Sequence, residues 1–317
     1  MTKCNVLGLW LALMMFGPTL ISCRTEFEDC STPRFPCNDS IVRFAVIGDW
    51  GMWGSEDQRK VATAMAGIGN ACPYDFIIST GDNIYSNGVT SIDDPLWQSC
   101  FEAVYNQPSL QCPWYAVLGN HDYRGNPTAE LDYTAISTRW KMPSKHFSHV
   151  EERDDFSVEL FFMDSNPFQD DIVGTTAHPM LMAQDTLEQE EWITGALAQS
   201  VAKWKMVIGH HPMYTCGMRK QLPQYMRAFE TAFDTLGVQA YLCGHEHDLQ
   251  IHHPPSGVCC IVSGAGAQAR PIQEPFDFTS FARSELGFMI VEISENLAHV
   301  IVYNENGQVM HSEDLLP

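Results

Sequence analysis

Seven side chains in this sequence have the chemistry to hold cations, and they gather where short apolar runs end. Asp49 follows the run at 42–47 through Gly48, Asp82 follows 76–78 after Gly81, and Asn120 follows 115–118 after Gly119. His210 comes after 205–208 and Gly209, while His245 and His247 lie in Gly244-His245-Glu246-His247 beyond 238–243. Tyr85 stands three residues past Asp82. These are oxygen and imidazole donors with scarcely a sulfur among them, a set that suits Fe, Zn or Mn better than a thiolate-loving metal. Seven are too many for one ion that keeps open positions. They fit two ions sharing a bridging carboxylate, the arrangement that clamps the attacking and leaving oxygens of a phosphoryl displacement. Taken singly each element is weak, because a Gly-Asp pair after a strand is ordinarily a turn and a lone loop histidine is ordinarily solvated. The ordered set is what points to a site.

The elements that must position these residues are readable from periodicity. Apolar runs of this length fit strands buried on both faces, and ligands in α/β folds bind at the carboxyl ends of strands. Ser55 to Gln58 fits a capping box, with Val61, Ala64, Met65 and Ile68 following at helical spacing. A second helix is predicted from about Asp185 to Val201, with Leu187, Trp192 and Leu197 as its apolar stripe. Residues 288–293 and 298–303, joined by Ser294-Glu295-Asn296, read as a hairpin that adds antiparallel strands. The alternation predicts an α/β fold, a layered β-sandwich with mixed sheets and helices on its outer faces.

The chain has 317 residues, 45% of them hydrophobic, so it can build a large core. Its 18 Lys+Arg against 39 Asp+Glu give a formal net charge of −21, which argues against a nucleic-acid partner. Lys3, the apolar stretch 6–16 and the small residue Ser22 read as a signal peptide over 1–22, and Gly17-Pro18 interrupts the run too early for a membrane span. Leu20-Ile21-Ser22-Cys23 also fits a bacterial lipoprotein signal, with Cys23 as the lipid anchor. Export is therefore expected, to the extracellular space or a lysosomal or vacuolar lumen, or to a bacterial surface if Cys23 is lipidated. Of the eleven cysteines, Cys4 lies in that leader and Cys23 directly follows it, and several of the other nine should pair in an oxidising compartment; Cys243, in an apolar run, is expected as a buried thiol. Asn38-Asp39-Ser40 is a glycosylation sequon. A 23–40 segment, a single domain over 41–317 and a monomer complete the expected organisation.

Gly48-Asp49-Trp50-Gly51, Gly81-Asp82-Asn83-Ile84-Tyr85, Gly119-Asn120-His121-Asp122, Gly209-His210-His211-Pro212 and Gly244-His245-Glu246-His247 resemble the five blocks of the metallophosphoesterases. More narrowly they resemble the small, tartrate-resistant purple acid phosphatases, over about residues 42–303. Most metallophosphoesterases carry His two residues after the first Asp; here that position is Gly51, and Tyr85 supplies the missing donor. The resemblance implies a four-layer α/β/β/α sandwich and two cations. One would be held by Asp49, Asp82, Tyr85 and His247, the other by Asp82, Asn120, His210 and His245, with Asp82 bridging. A phenolate beside carboxylates suits Fe(III), and the more neutral second set suits Fe(II), Zn or Mn. The implied reaction is hydrolysis of small phosphate monoesters by a hydroxide that the cations make available in acid. Asn120, His121 and His210 would touch the phosphate, His121 would protonate the leaving alcohol, and Asp122 would orient or tune His121.

His211 is open between a second proton donor and a pocket wall. Glu246 is expected as a solvated loop residue, His252 and His253 as structural residues or pocket rim, Asp164 as a strand end that adds no ligand, and Trp50, Trp53 and Trp114 as packing. Loops at 86–99, 124–140 and 167–179 would set substrate choice. Two other functions stay in view: a more selective nucleotide or phosphodiester enzyme on the same metal core, and a non-catalytic iron-binding or surface protein.

Overall fold

A computed structural model describes residues 35–169, 184–222 and 224–317. The expected leader, Cys4, Cys23, Cys30 and positions 170–179 of the third loop lie outside the described residues. In chain order the elements are β1 (Val42–Ile47), α1 (Glu56–Ala71), β2 (Phe76–Ser79), β3 (Trp114–Ala116), α2 (Pro127–Tyr133), β4 (Trp140–Lys141), β5 (Phe147–Glu152), β6 (Ser157–Phe162) and α3 (Thr186–Gln199). They continue with β7 (Trp204–Ile208), α4 (Glu230–Thr235), β8 (Ala240–Cys243), β9 (Leu249–His252), β10 (Cys259–Ser263), β11 (Thr279–Arg283), β12 (Gly287–Ile293), β13 (Ala298–Asn304) and β14 (Val309–Leu315).

The strands form two seven-stranded mixed sheets, ordered β14-β13-β12-β1-β2-β3-β4 and β11-β9-β10-β8-β7-β6-β5. The alternation of side chains along β1 shows how they stack. Val42, Phe44 and Val46 point into an apolar layer shared with Leu160, Met206, Leu242 and Ile261 of the other sheet, while Ala45 and Ile47 face Val61 and Met65 of α1. On the far side, Phe161, Val207 and Tyr241 pack against Ile193 and Leu197 of α3 and Phe233 of α4. Three apolar layers between helices, sheet, sheet and helices make the four-layer sandwich.

Local signals explain the helices. The Ser55 hydroxyl caps α1 by accepting from the Gln58 N–H. The Gln58 side chain does not complete the expected box: it accepts from the Gly54 N–H at 2.9 Å and donates to the Cys100 carbonyl at 2.7 Å. Asp185 caps α3 by accepting from the Leu187 and Glu188 N–H groups. The expected stripe of α3 needs correction, since Leu187 is 66% exposed and Gln189, Ile193 and Leu197 form the buried face. Residues five apart sit about 140° around a helix from one another, so Leu187, Trp192 and Leu197 cannot share a narrow face. The predicted C-terminal hairpin is present, with Ile293 opposite Ala298. The sulfurs pair less than expected. Among the described residues Cys37 and Cys72 form a disulfide, and Cys100, Cys112, Cys216, Cys243, Cys259 and Cys260 are free thiols.

β1, β2 and β3 run parallel to one another, as do β6, β7, β8 and β10. Their carboxyl ends deliver the Asp49, Asp82 and Asn120 loops from one sheet and the His210 and His245–His247 loops from the other to a common edge.

Candidate metal centre

Asp49, Asp82 and His245 all sit at positive φ, +58°, +49° and +69°. A non-glycine residue reaches that region only when its surroundings over-determine it, and here the turns must aim three side chains inward immediately after a strand. Gly119 allows the closest approach, since a Cβ there would lie 2.1 Å from the Asp82 nitrogen.

The seven expected donors converge. The Tyr85 hydroxyl lies 2.8 Å from Asp49 Oδ1, 2.9 Å from Asp82 Oδ2 and 3.1 Å from His247 Nε2. On the other side of Asp82, His210 Nε2 is 3.5 Å from Oδ1 and 3.3 Å from Asn120 Oδ1. His245 Nδ1 is 3.0 Å from that same amide oxygen and 3.2 Å from His210 Nε2. Asp82 thus stands between the two halves. His210 Nδ1 is 2.9 Å from the Thr80 carbonyl oxygen, so that nitrogen carries the proton and Nε2 presents a lone pair inward, the usual orientation of a metal-binding imidazole.

The electrostatics fit cations. Burial pushes the Asp49 carboxyl well above the usual carboxylate range, and the Asp82 charge adds to it. Asp82 itself is raised by burial but held lower overall by His210 and His121. The Tyr85 phenol is driven far up by burial and by both carboxylates. Burial lowers His210 and His245 and takes His247 to about 3, so their lone pairs stay free. Facing acceptors at 3.0 to 3.3 Å leave more lone pairs than protons to share between them. A cation on each side of Asp82 would use those lone pairs and reverse the Tyr85 and Asp49 shifts.

Residues 42–249 match the family model described as calcineurin-like phosphoesterase. Purple acid phosphatase 3 of Arabidopsis thaliana is 37% identical over 288 residues, covering 86% of this chain and 77% of that protein. Human tartrate-resistant acid phosphatase type 5 is 31% identical over 271 residues, covering 82% and 80%. This chain belongs to the purple acid phosphatases, within the calcineurin-like phosphoesterases. Solved structures that share its fold include the Plasmodium inner-membrane-complex anchor GAP50, with a TM-score of 0.76 at 21% identity over 87% of this chain and 89% of that one, and a purple acid phosphatase from yellow lupin seeds, at 0.66 and 15% over 88% and 54%. As a purple acid phosphatase the protein is a metal-dependent hydrolase of phosphoesters with a dinuclear centre.

In this purple acid phosphatase the exchange of His for Gly51 and Tyr85 has a steric reason. A Cβ at Gly51 would lie 1.9 Å from the Asn83 carbonyl oxygen, and the Tyr85 N–H donates to the Gly51 carbonyl at 2.9 Å. The loop carrying Tyr85 occupies the space a side chain at position 51 would need.

The surrounding residues sort by contact. His121 Nδ1 is 2.7 Å from the Ser86 carbonyl oxygen, its Nε2 is 3.9 Å from Asp82 Oδ2, and its ring lies 4.4 Å from that of Tyr85. Asp122 accepts from the Gly119, Asn83 and Ile84 N–H groups at 2.7, 3.0 and 3.2 Å, tying the Asp82 and Asn120 loops together; burial and the Asp82 charge push it to about 7. His211 Nδ1 meets the Ser165 hydroxyl at 2.8 Å, and its ring is 4.5 Å from that of His245. Asp164 accepts a short hydrogen bond from the Tyr123 hydroxyl and adds no donor to the centre.

Some expectations fail here. Glu246 is not solvated but wholly buried, with Oε2 lacking a hydrogen-bond partner among the described residues, because the segment of Gly217 and Arg219 covers the His245 turn. Trp50 and Trp114 are fully buried, but Trp53 is 54% exposed. Of the two roles open to His252 and His253 the structural one holds: His252 is buried on Gln250 and Thr279, and His253 pairs with Glu313, so neither forms the pocket rim. Ser165 and Arg219 escaped the sequence reading. The Ser165 hydroxyl accepts from the His210 and His211 N–H groups, and Arg219 donates to the His245 carbonyl at 3.0 Å. Ser165 lies just beyond an apolar run, as the other site residues do, which was its only signal; Arg219 had none.

Proposed function

We propose that this chain is an exported acid phosphatase for small phosphate monoesters, in which Asp49, Asp82, Tyr85 and His247 hold Fe(III) and Asp82, Asn120, His210 and His245 hold Fe(II), Zn or Mn. The observation that carries the reading is the Tyr85 phenol between two buried carboxylates, 2.8 and 2.9 Å away, beside a second set of neutral donors. When bound, the cation pair supplies an acidified water as nucleophile and neutralises phosphate charge. The chain supplies orientation and protons. Asn120, His121 and His210 line the phosphate position. His121 keeps Nδ1 on the Ser86 carbonyl, so Nε2 faces the reacting group, and protonated there it delivers the leaving-group proton. Burial lowers its pKa despite Asp82, so the charged acid form belongs to acidic solution. His211, kept neutral by burial, serves as pocket wall.

The organisation that goes with this reading is a leader over 1–22, a single catalytic domain over 41–317, a monomer, and glycosylation at Asn38 in a eukaryotic cell or lipid on Cys23 in a bacterial one. Among the described residues no helix is long and apolar enough to cross a membrane.

The test is metal analysis, a visible spectrum and aryl phosphate hydrolysis at about pH 5 on the mature protein and on Tyr85→Phe. Expected are two ions per chain, a broad visible band that Tyr85→Phe abolishes, and acid activity. A colourless active protein would sink the iron–phenolate assignment, and a metal-loaded protein with no turnover would move the reading to the binding protein.

A further inference from the structure

The inner face of β14 carries His311 and Glu313 where a sandwich interior calls for apolar side chains. Both positions oppose residues of the inter-sheet layer, Val302 and Val300 of β13. Across the layer, β9 and β10 pair antiparallel with His252 opposite Cys260. One step further along that register, His253 stands opposite Cys259, a free thiol of the same layer. One ligand atom each from His253, Cys259 and Glu313 lies within 4.8 Å of the other two. His253 Nε2 is 2.5 Å from Glu313 Oε1, and His311 Nε2 is 2.7 Å from Oε2. The site is at the opposite end of the strands from the metal centre: Cys259 begins β10, whose far end leads to Gly264 beside Asp49. That is a separation on the order of 15 Å at ~3.3 Å per residue.

We propose that His253, Cys259 and Glu313, with His311 as fourth ligand, form a structural zinc site that clips the edge strand of one sheet to β9 and β10 of the other. The donors are one thiol, two imidazoles and one carboxylate, a borderline-soft set that zinc takes in tetrahedral geometry. Around zinc, bonds of about 2.0–2.3 Å place ligand atoms roughly 3.3–3.7 Å apart. The His253–Glu313 contact would therefore open slightly and Cys259 Sγ would close in. The His253 side chain is 44% exposed, which gives the ion a path, and the His311 ring is held by stacking on Phe281 at 5.1 Å. Burial, the neighbouring Cys260 and the Glu313 charge all raise the thiol's pKa, so without an ion it stays protonated against a carboxylate. Binding releases the Cys259 thiol proton to solvent, and each neutral imidazole presents Nε2 to the ion by keeping its proton on Nδ1.

The test is metal counting on zinc-equilibrated, desalted mature protein, alongside Cys259→Ser and His253→Ala. The readout is the difference between wild type and variant, not the total, so it does not depend on how the phosphatase centre is loaded. Expected is one ion fewer per chain in each variant, with phosphatase kcat within about twofold of wild type. Cobalt substitution should give a near-ultraviolet thiolate band that Cys259→Ser lacks. Equal metal content in all three proteins and no thiolate band would overturn the proposal. His253→Ala alters a half-exposed side chain and keeps the count readable if Cys259→Ser folds poorly.

Discussion

Tyr85 and Gly51 behave as one unit, because the loop that brings the phenol to Asp49 and Asp82 rests on the position where a side chain would clash. Gly51→Ala should therefore do more than overfill a core, which ordinarily costs about 1–3 kcal/mol. It should displace Asn83 and Tyr85 together, and the check is loss of bound metal and of the visible band along with a lower Tm. His121 lies in the same loop network but touches no second expected ligand through its free nitrogen. His121→Ala is expected to keep the metal content and lose roughly 10²–10⁴-fold in kcat, read by steady-state kinetics beside elemental analysis. A parallel loss of metal would reassign His121 from proton donor to support of the Asp82 loop.

At the scale of elements, the join between β14 and β9 carries its own pH dependence when no ion is bound. Hydrogen bonding to Glu313 raises His253 above its ordinary value of 6.5, so that contribution is complete below about 6.5 and fades as pH rises through the folded-state pKa. Burial pushes Glu313 up, but hydrogen bonds from His253, His311 and Ser280 hold it at about 2. Its contribution is therefore complete above its ordinary 4.5 and lost as pH falls through about 2. In chelator, wild type should exceed Glu313→Gln in Tm most between about pH 4.5 and 6.5, measured by thermal scans across pH. A difference that keeps growing above pH 7 would contradict the assignment. The exposed side of His253 means that screening keeps the effect small.

For the whole molecule, the Cys37–Cys72 disulfide closes a 35-residue separation around β1 and α1. In the chain-entropy account such a loop contributes about 4 kcal/mol, so reductant should lower Tm while the assembled centre keeps its metal at lower temperature. A Tm indifferent to reductant would place that bridge outside the stability-limiting part of the fold. The larger architecture follows from two sheets pressed face to face, each supplying part of the site. The carboxylates, phenol and amide come from the β1–β3 side and the three histidines from the β7–β8 side. Neither sheet alone presents a complete donor set.

Much of this was legible in the residues. Apolar runs ending in Gly-Asp, Gly-Asn-His and Gly-His-Glu-His name both the strands and the donors, because a buried strand must be apolar and its exit turn must present polar groups. Residue types alone limit the metals to those that accept oxygen and imidazole. What sequence could not carry was contact between segments far apart in the chain. The burial of Glu246 depends on the segment of Gly217 and Arg219 folding over the His245 turn. The Ser165 hydroxyl reaches the His210 and His211 amides across 45 and 46 residues. The α3 stripe misread arose from apolar spacing without the layer that it faces, and the thiol pairing from counting cysteines that the strands then hold apart. His253, Cys259 and Glu313 read as three unrelated residues until β9, β10 and β14 close on one another. Periodicity and donor chemistry are local properties that a sequence states directly, whereas burial and convergence exist only once the two sheets have met.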